Sequence, residues 1–177
     1  MSKTKSKIAA TLALAALTLP QAAQAAATTQ CMTRPELHGM MAYMMPFAID
    51  SLVQKCSTRL SANSFVVSRG PALSKDLATG QAAAWPMAKR AFMKFGGSAD
   101  KDATAMMEAM PESAMRPLLE SVVTQEFSGM IKPENCKDID AVLGTLAPLP
   151  ASSYVDLLTQ VVIIGARGDK EMQICED

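Results

Sequence analysis

His38 is the one histidine in a chain of 177 residues that also carries four cysteines and fourteen methionines, and these three residue types bound the chemistry open to it. A Ser-His-Asp or Cys-His device would have to use His38. No G-x-S-x-G elbow accompanies it. Cys31, Cys56, Cys136 and Cys175 show no C-x-x-C spacing, which a thioredoxin-type site or a zinc ribbon needs. Asp100 with Asp102 and Asp138 with Asp140 are paired carboxylates two residues apart. On a helix such pairs point in different directions, and both lie where acids complement a helix N-terminus. Neither continues into a calcium loop, and no P-loop or dinucleotide fingerprint occurs. The residues therefore predict no enzyme and call for no cofactor.

Methionine is the unusual component. Met40, Met41, Met44 and Met45 form one cluster, and Met106, Met107, Met110 and Met115 a second. Unbranched thioether side chains ordinarily fill gaps in irregular helical cores. They also line adaptable grooves, so Leu37, Met41 and Met45 facing Met106, Met110 and Met115 would accept a small apolar ligand or a partner protein. Thioethers are soft ligands as well. An alternative reading is a Cu(I) site made by His38, Met41 and Met44, which fall on neighbouring turns of one predicted helix.

The compartment follows from the opening residues. Lys3, Lys5 and Lys7 precede an apolar run from Ile8 to Leu19, Pro20 interrupts it, and Ala23-Gln24-Ala25 offers small residues for cleavage. Residues 1–25 thus read as a cleaved signal peptide, too short in its apolar part to remain as a membrane span. The expected location is periplasmic or secreted, where an even number of cysteines pairs into two disulfides. Removing three of the seventeen basic residues with the signal leaves fourteen against seventeen acids. That mildly acidic balance, without a basic run, disfavours nucleic acid as a partner. Lys89, Arg90 and Lys94 form the densest basic group and read as a solvated helix face.

Helices must position these residues. Thr33-Arg34-Pro35-Glu36 has the form of a capping box with proline in the first turn. Pro46 is expected to bend the helix that follows or split it in two before about Leu60. A sharp reversal there would let Cys31 meet Cys56, leaving Cys136 for Cys175, and this is the favoured pairing. A nearly straight helix would separate Cys31 from Cys56 by more than roughly 30 Å and forbid it. Ser61 to Pro71 reads as loop, and Ala72 to Phe95 as helix interrupted at Gly80 and Pro86. Asp100 is a predicted N-cap for a helix to Met110. Glu112 to Ile131 carries an apolar stripe through Met115, Leu118, Leu119, Val122, Val123, Phe127 and Met130. Ile139 to Leu146 and Tyr154 to Ile164 complete the set, the last apolar on most sides and so expected to be the most buried. Trp85, beside Pro86, is expected to cover a helix junction with its N–H on a carbonyl. The reading is one all-α domain over 26–177, an irregular bundle of five to seven helices stapled by two disulfides.

Overall fold

The chain is helical throughout the computed structural model, which describes residues 31–97, 101–167 and 173–175. The expected signal peptide and the Asp100 cap lie outside the described residues, as does the side chain of Asp102. Eight α-helices follow one another: α1 Arg34–Cys56, α2 Phe65–Ser68, α3 Gly70–Ala78, α4 Gln81–Gly97, α5 Lys101–Ala109, α6 Glu112–Met130, α7 Cys136–Leu146 and α8 Ala151–Gly165, with a 3-10 turn at Pro133–Asn135. Among the described residues there is no strand, only an isolated parallel bridge between Met32 and Ile174. The all-α class holds, with one helix more than expected, because Ser64 caps a single turn at Phe65–Ser68 where a loop was read.

α1 starts on the capping box that its sequence specifies. The Glu36 N–H donates to the Thr33 hydroxyl at 3.4 Å, and the Thr33 N–H donates to the Glu36 carboxylate at 2.8 Å. Of the two outcomes expected at Pro46, a bend or a split, the split does not occur: α1 runs through it as one helix. Pro46 has no N–H to give to the turn before it, but burial on every side of the helix outweighs that local cost of about 3 kcal/mol. Leu37, Met40, Tyr43, Met45, Ile49 and Leu52 are all buried and together cover most of its circumference. Such all-round apolarity marks the central helix of a bundle. α3, α4, α6 and α8 pack around it, and the Ser74 hydroxyl of α3 donates to the Pro46 carbonyl at 3.3 Å.

The unbroken helix excludes one of the three possible disulfide pairings. Cys31 and Cys56 stand at opposite ends of α1, roughly 35 Å apart at 1.5 Å per residue, so they cannot pair. The bonds are Cys31–Cys175 and Cys56–Cys136, with Cα separations of 5.0 and 5.6 Å. This corrects the pairing favoured above. Cys56–Cys136 joins the end of α1 to the start of α7 inside a cluster with Leu52 and Val66. Cys31–Cys175 sits beside the bridge, where the Met32 N–H donates to Gln173 at 2.8 Å and the Cys175 N–H to Met32 at 3.0 Å.

Two further expectations on burial change. In α6, Met115 and Val123 face inward, whereas Leu118, Val122 and Met130 of the predicted stripe are 46%, 48% and 62% exposed. In α8, Tyr154, Val155 and Thr159 are buried, but Leu157, Val161 and Ile164 are largely exposed. α8 lies at the margin of the bundle, chiefly against α1 and α3, so among the described residues one side of an apolar helix is left exposed. Among the described residues, no single helix is long and apolar enough to cross a membrane. The segment Pro133–Leu146 and α8 meet that test only as a pair bent by 118°.

Gly39 permits the closest helix contact. A Cβ there would lie 2.4 Å from the Met87 Cβ, 3.2 Å from the Ala88 nitrogen and 3.3 Å from the Ala84 oxygen. Two of these are backbone atoms of α4, so relief requires the whole helix to shift. Gly39→Ala gains helix propensity but overpacks, and we expect a net loss of about 2 kcal/mol and a melting temperature lower by roughly 4–8 °C. An unchanged or raised midpoint in a thermal melt would show that α4 has room to retreat.

Candidate ligand cavity

The small residues of α1 and α4 that allow this approach also leave space beside it. Where α3 ends, α4 begins and α8 starts, an open cavity of about 580 Å³ is walled by Ala42, Leu77, Ala84, Met87 and Val155. Its rim is polar: His38 from α1, Asp76 and Thr79 from the end of α3, and Ser152 from the first turn of α8. This size, apolar wall and sparse polar rim suit a small organic molecule. Gly80 breaks the helix between α3 and α4 and opens the corner that the cavity occupies.

The polar rim is partly tied down. His38 Nε2 lies 3.0 Å from Asp156 Oδ1, and both side chains are about half exposed or more, at 47% and 66%. One turn further along the same seam, the Arg34 guanidinium donates to Gln160 at 3.2 Å. The Thr79 hydroxyl donates to the Asp76 carbonyl at 2.6 Å. A second hollow, of about 700 Å³ between α1 and α6, is bordered mainly by Lys55, Glu120, Ser121, Thr124 and Gln125. Its Glu120 already accepts from the Tyr43 hydroxyl at 2.7 Å.

The expected methionine groove is not assembled. Leu37 is fully buried with Met32, Met40 and Ala91, and Met45 is buried with Ile49, Leu73 and Tyr154. Met41 packs against both of those clusters. Met115 and Met110 belong to a different cluster, around Tyr43, Trp85 and Ala88, and Met106 is 72% exposed. The two methionine groups therefore meet separate cores. For the alternative metal set, Met44 packs on the cluster around Leu37 and Met40, while His38 Nε2 is directed to Asp156. Among the described residues no three His, Cys, Asp or Glu side chains are grouped as metal ligands.

Of the three residues read as a solvated face, Arg90 is exposed, whereas Lys89 and Lys94 make tertiary contacts. Lys94 donates to a Glu36 oxygen at 2.6 Å and to the Cys31 carbonyl at 3.1 Å. Burial alone would raise the Glu36 carboxyl. The bonds from Lys94 and from the Thr33 N–H and hydroxyl outweigh it and hold the group below the usual carboxylate range. Lys89 donates to Glu112 at 3.1 Å, and Trp85 Nε1 donates to the same carboxylate at 3.1 Å rather than to a carbonyl. Those two bonds lower the Glu112 carboxyl. Arg116 lies 4.5 Å over the Trp85 ring, a cation–π contact. Burial and the bond to Glu120 push the Tyr43 phenol up. Asp140, one of the paired carboxylates, accepts from the Val66 N–H at 2.8 Å and so holds the first turn of α2.

Sequence reasoning missed the cavity because its wall is assembled from separate helices and includes Ala42, Ala83, Ala84 and Ala151, a residue type that carries no chemical signal. One signal was present. Asp76 is an acid in the last turn of a helix, the end where the backbone dipole disfavours it. Compared with known proteins, the chain matches no protein-family model, no curated protein and no solved structure.

Proposed function

We propose that this protein is an exported, non-enzymatic module that holds a small apolar ligand in the cavity between α1, α3, α4 and α8. The observation that carries the reading is the cavity itself, about 580 Å³ with apolar walls and a few polar groups at its rim. Export to the periplasm or the medium rests on the signal-like residues 1–25, and the two disulfides are compatible with an oxidising compartment. All four cysteines are bonded to one another and the sole histidine is held by Asp156, which leaves no activated nucleophile of the Cys-His kind.

Binding of N-phenyl-1-naphthylamine, a neutral apolar fluorophore, tests the reading. Ala83 is exposed at the cavity wall, so Ala83→Phe fills the space without entering the core. The expected result is saturable binding of one probe per chain, weakened at least tenfold by Ala83→Phe and kept by Val161→Lys on the outer face of α8. Binding that survives the first variant and disappears in the second would move the ligand off the cavity and sink the reading.

A second reading is a protein-interaction module, and α8 favours it. Leu157, Val161 and Ile164 recur at helical spacing on one exposed face, 42%, 54% and 60% accessible, with Leu158 alongside.

A further inference from the structure

We propose that the ligand of this cavity is an organic cation, with an apolar body against Ala84, Met87 and Val155 and a positively charged ammonium head at Asp76. The inference rests on the cavity reading above and specifies its ligand class. Asp76 lines the cavity, and among the described residues no side chain or backbone donor meets its carboxylate. It stands in the last turn of α3 (Gly70–Ala78), where the negative end of the helix dipole adds to its charge. Asp76 is exposed and Lys75 in the same turn complements the dipole, so the carboxylate is solvated and open to a ligand's cation. A bound ammonium supplies that cation.

Formal charge sets the sign: α4 and α8 start at the cavity with partial positive dipole ends, but among the described residues lining it Asp76 is the full charge without a charged partner. No lysine or arginine is among the cavity-lining residues. The one basic group at the rim, His38, is already matched by Asp156 at 3.0 Å. Lys75 neighbours Asp76 in sequence, but consecutive helix residues project about 100° apart. Arg34 lies a turn beyond His38 and donates to Gln160. Thr79 and Ser152 add hydroxyl oxygens at the rim, acceptors for the remaining ammonium protons. An anionic head would meet the Asp76 carboxylate, and like charges repel, so fatty-acid-like molecules are disfavoured.

The test compares three probes of equal chain length, octylammonium, 1-octanol and octanoate, by calorimetry on the oxidised protein at neutral pH and low salt. Wild type should bind octylammonium roughly fivefold to tenfold more tightly than octanol, with octanoate weakest, since a charge-assisted bond at a partly exposed site has about that strength. In Asp76→Asn the ammonium-to-octanol ratio should fall to within about twofold of one, and added salt should lower the wild-type ratio. Thermal melts confirm that the variant is folded. Equal binding of octylammonium and octanol by wild type, or a preference that survives Asp76→Asn, overturns the cation inference while leaving the apolar cavity standing. No binding of any probe overturns both.

Discussion

Cys56→Ala with Cys136→Ala should lower the free energy of unfolding by about 4–5 kcal/mol, the largest single loss expected in this molecule. The bond closes a loop with a sequence separation of 80, and restricting the unfolded chain by that much contributes roughly 4.5 kcal/mol in the chain-entropy account. Burial adds to it. Both cysteines are almost fully enclosed, at 0% and 1% exposure, among Leu52, Val66 and the partly buried Ile139, so their sulfur atoms also fill core volume. Chain entropy alone ranks the other bond slightly higher, because Cys31–Cys175 has a separation of 144. Cys31 and Cys175 are only half-buried, however, so losing their sulfur atoms empties less core volume. We therefore expect the Cys31→Ala, Cys175→Ala variant to lose less. Urea denaturation of the two double variants, followed by the fluorescence of the sole, buried Trp85, reads both losses. A larger loss at Cys31–Cys175 would mean that loop length outweighs burial.

Glu36→Ala should cost about 3–5 kcal/mol, the usual penalty for removing one partner of a buried ion pair. Glu36 is 5% exposed, and one of its oxygens receives Lys94 at 2.6 Å and the Thr33 N–H and hydroxyl at 2.8 and 2.9 Å. Truncation leaves the Lys94 ammonium in a pocket where its side chain is 21% exposed, and it removes half of the capping box of α1. The double change Glu36→Ala, Lys94→Met takes out both charges and should recover part of the loss. No recovery would mean that the cap, and not the ion pair, carries the energy.

The same carboxylate gives a pH signature. Its folded pKa is depressed, so its contribution is fully present above the unfolded carboxyl value of about 4.3 and is lost as the pH falls through the lower folded value. Glu112, also depressed, has the same sign. Stability should be level from pH 7 to about 5 and then decline in acid, with a shallower decline in Glu36→Gln. Equal acid slopes for wild type and Glu36→Gln would assign the decline to other groups.

Most helices were legible from local punctuation, since the Thr33 box, Gly80, Pro111, the Lys132–Pro133 turn and Pro150 lie at observed boundaries, but α2 stands where a loop was expected and Pro86, expected to interrupt, lies inside α4. What a sequence cannot display is which way an apolar helix faces. α1 and α8 are both apolar around most of their surface, yet α1 is enclosed by α2, α3, α4, α6 and α8, while α8 packs chiefly on α1 and α3. That choice belongs to the packing of the whole bundle. Pro46 illustrates the same competition, since its local penalty loses to the burial that surrounds it. A continuous α1 rules out Cys31–Cys56 by length, but the choice between the two remaining pairings rests on where α7 and the tail pack. The cavity was not legible, because Gly39, Ala42, Ala83 and Ala84 define it by volume that they do not occupy.

The bridge between Met32 and Ile174 and the bond between Cys31 and Cys175 bring the two ends of the fold together. A pulling force applied outside those two cysteines is carried by sulfur and never reaches the helices, so the oxidised protein cannot be stretched from its ends. It is equally a closed ring to any machine that threads a chain in single file. Passage through a narrow pore must therefore come before this bond forms, and afterwards the ring must be reduced before an end-first unfoldase can advance through it.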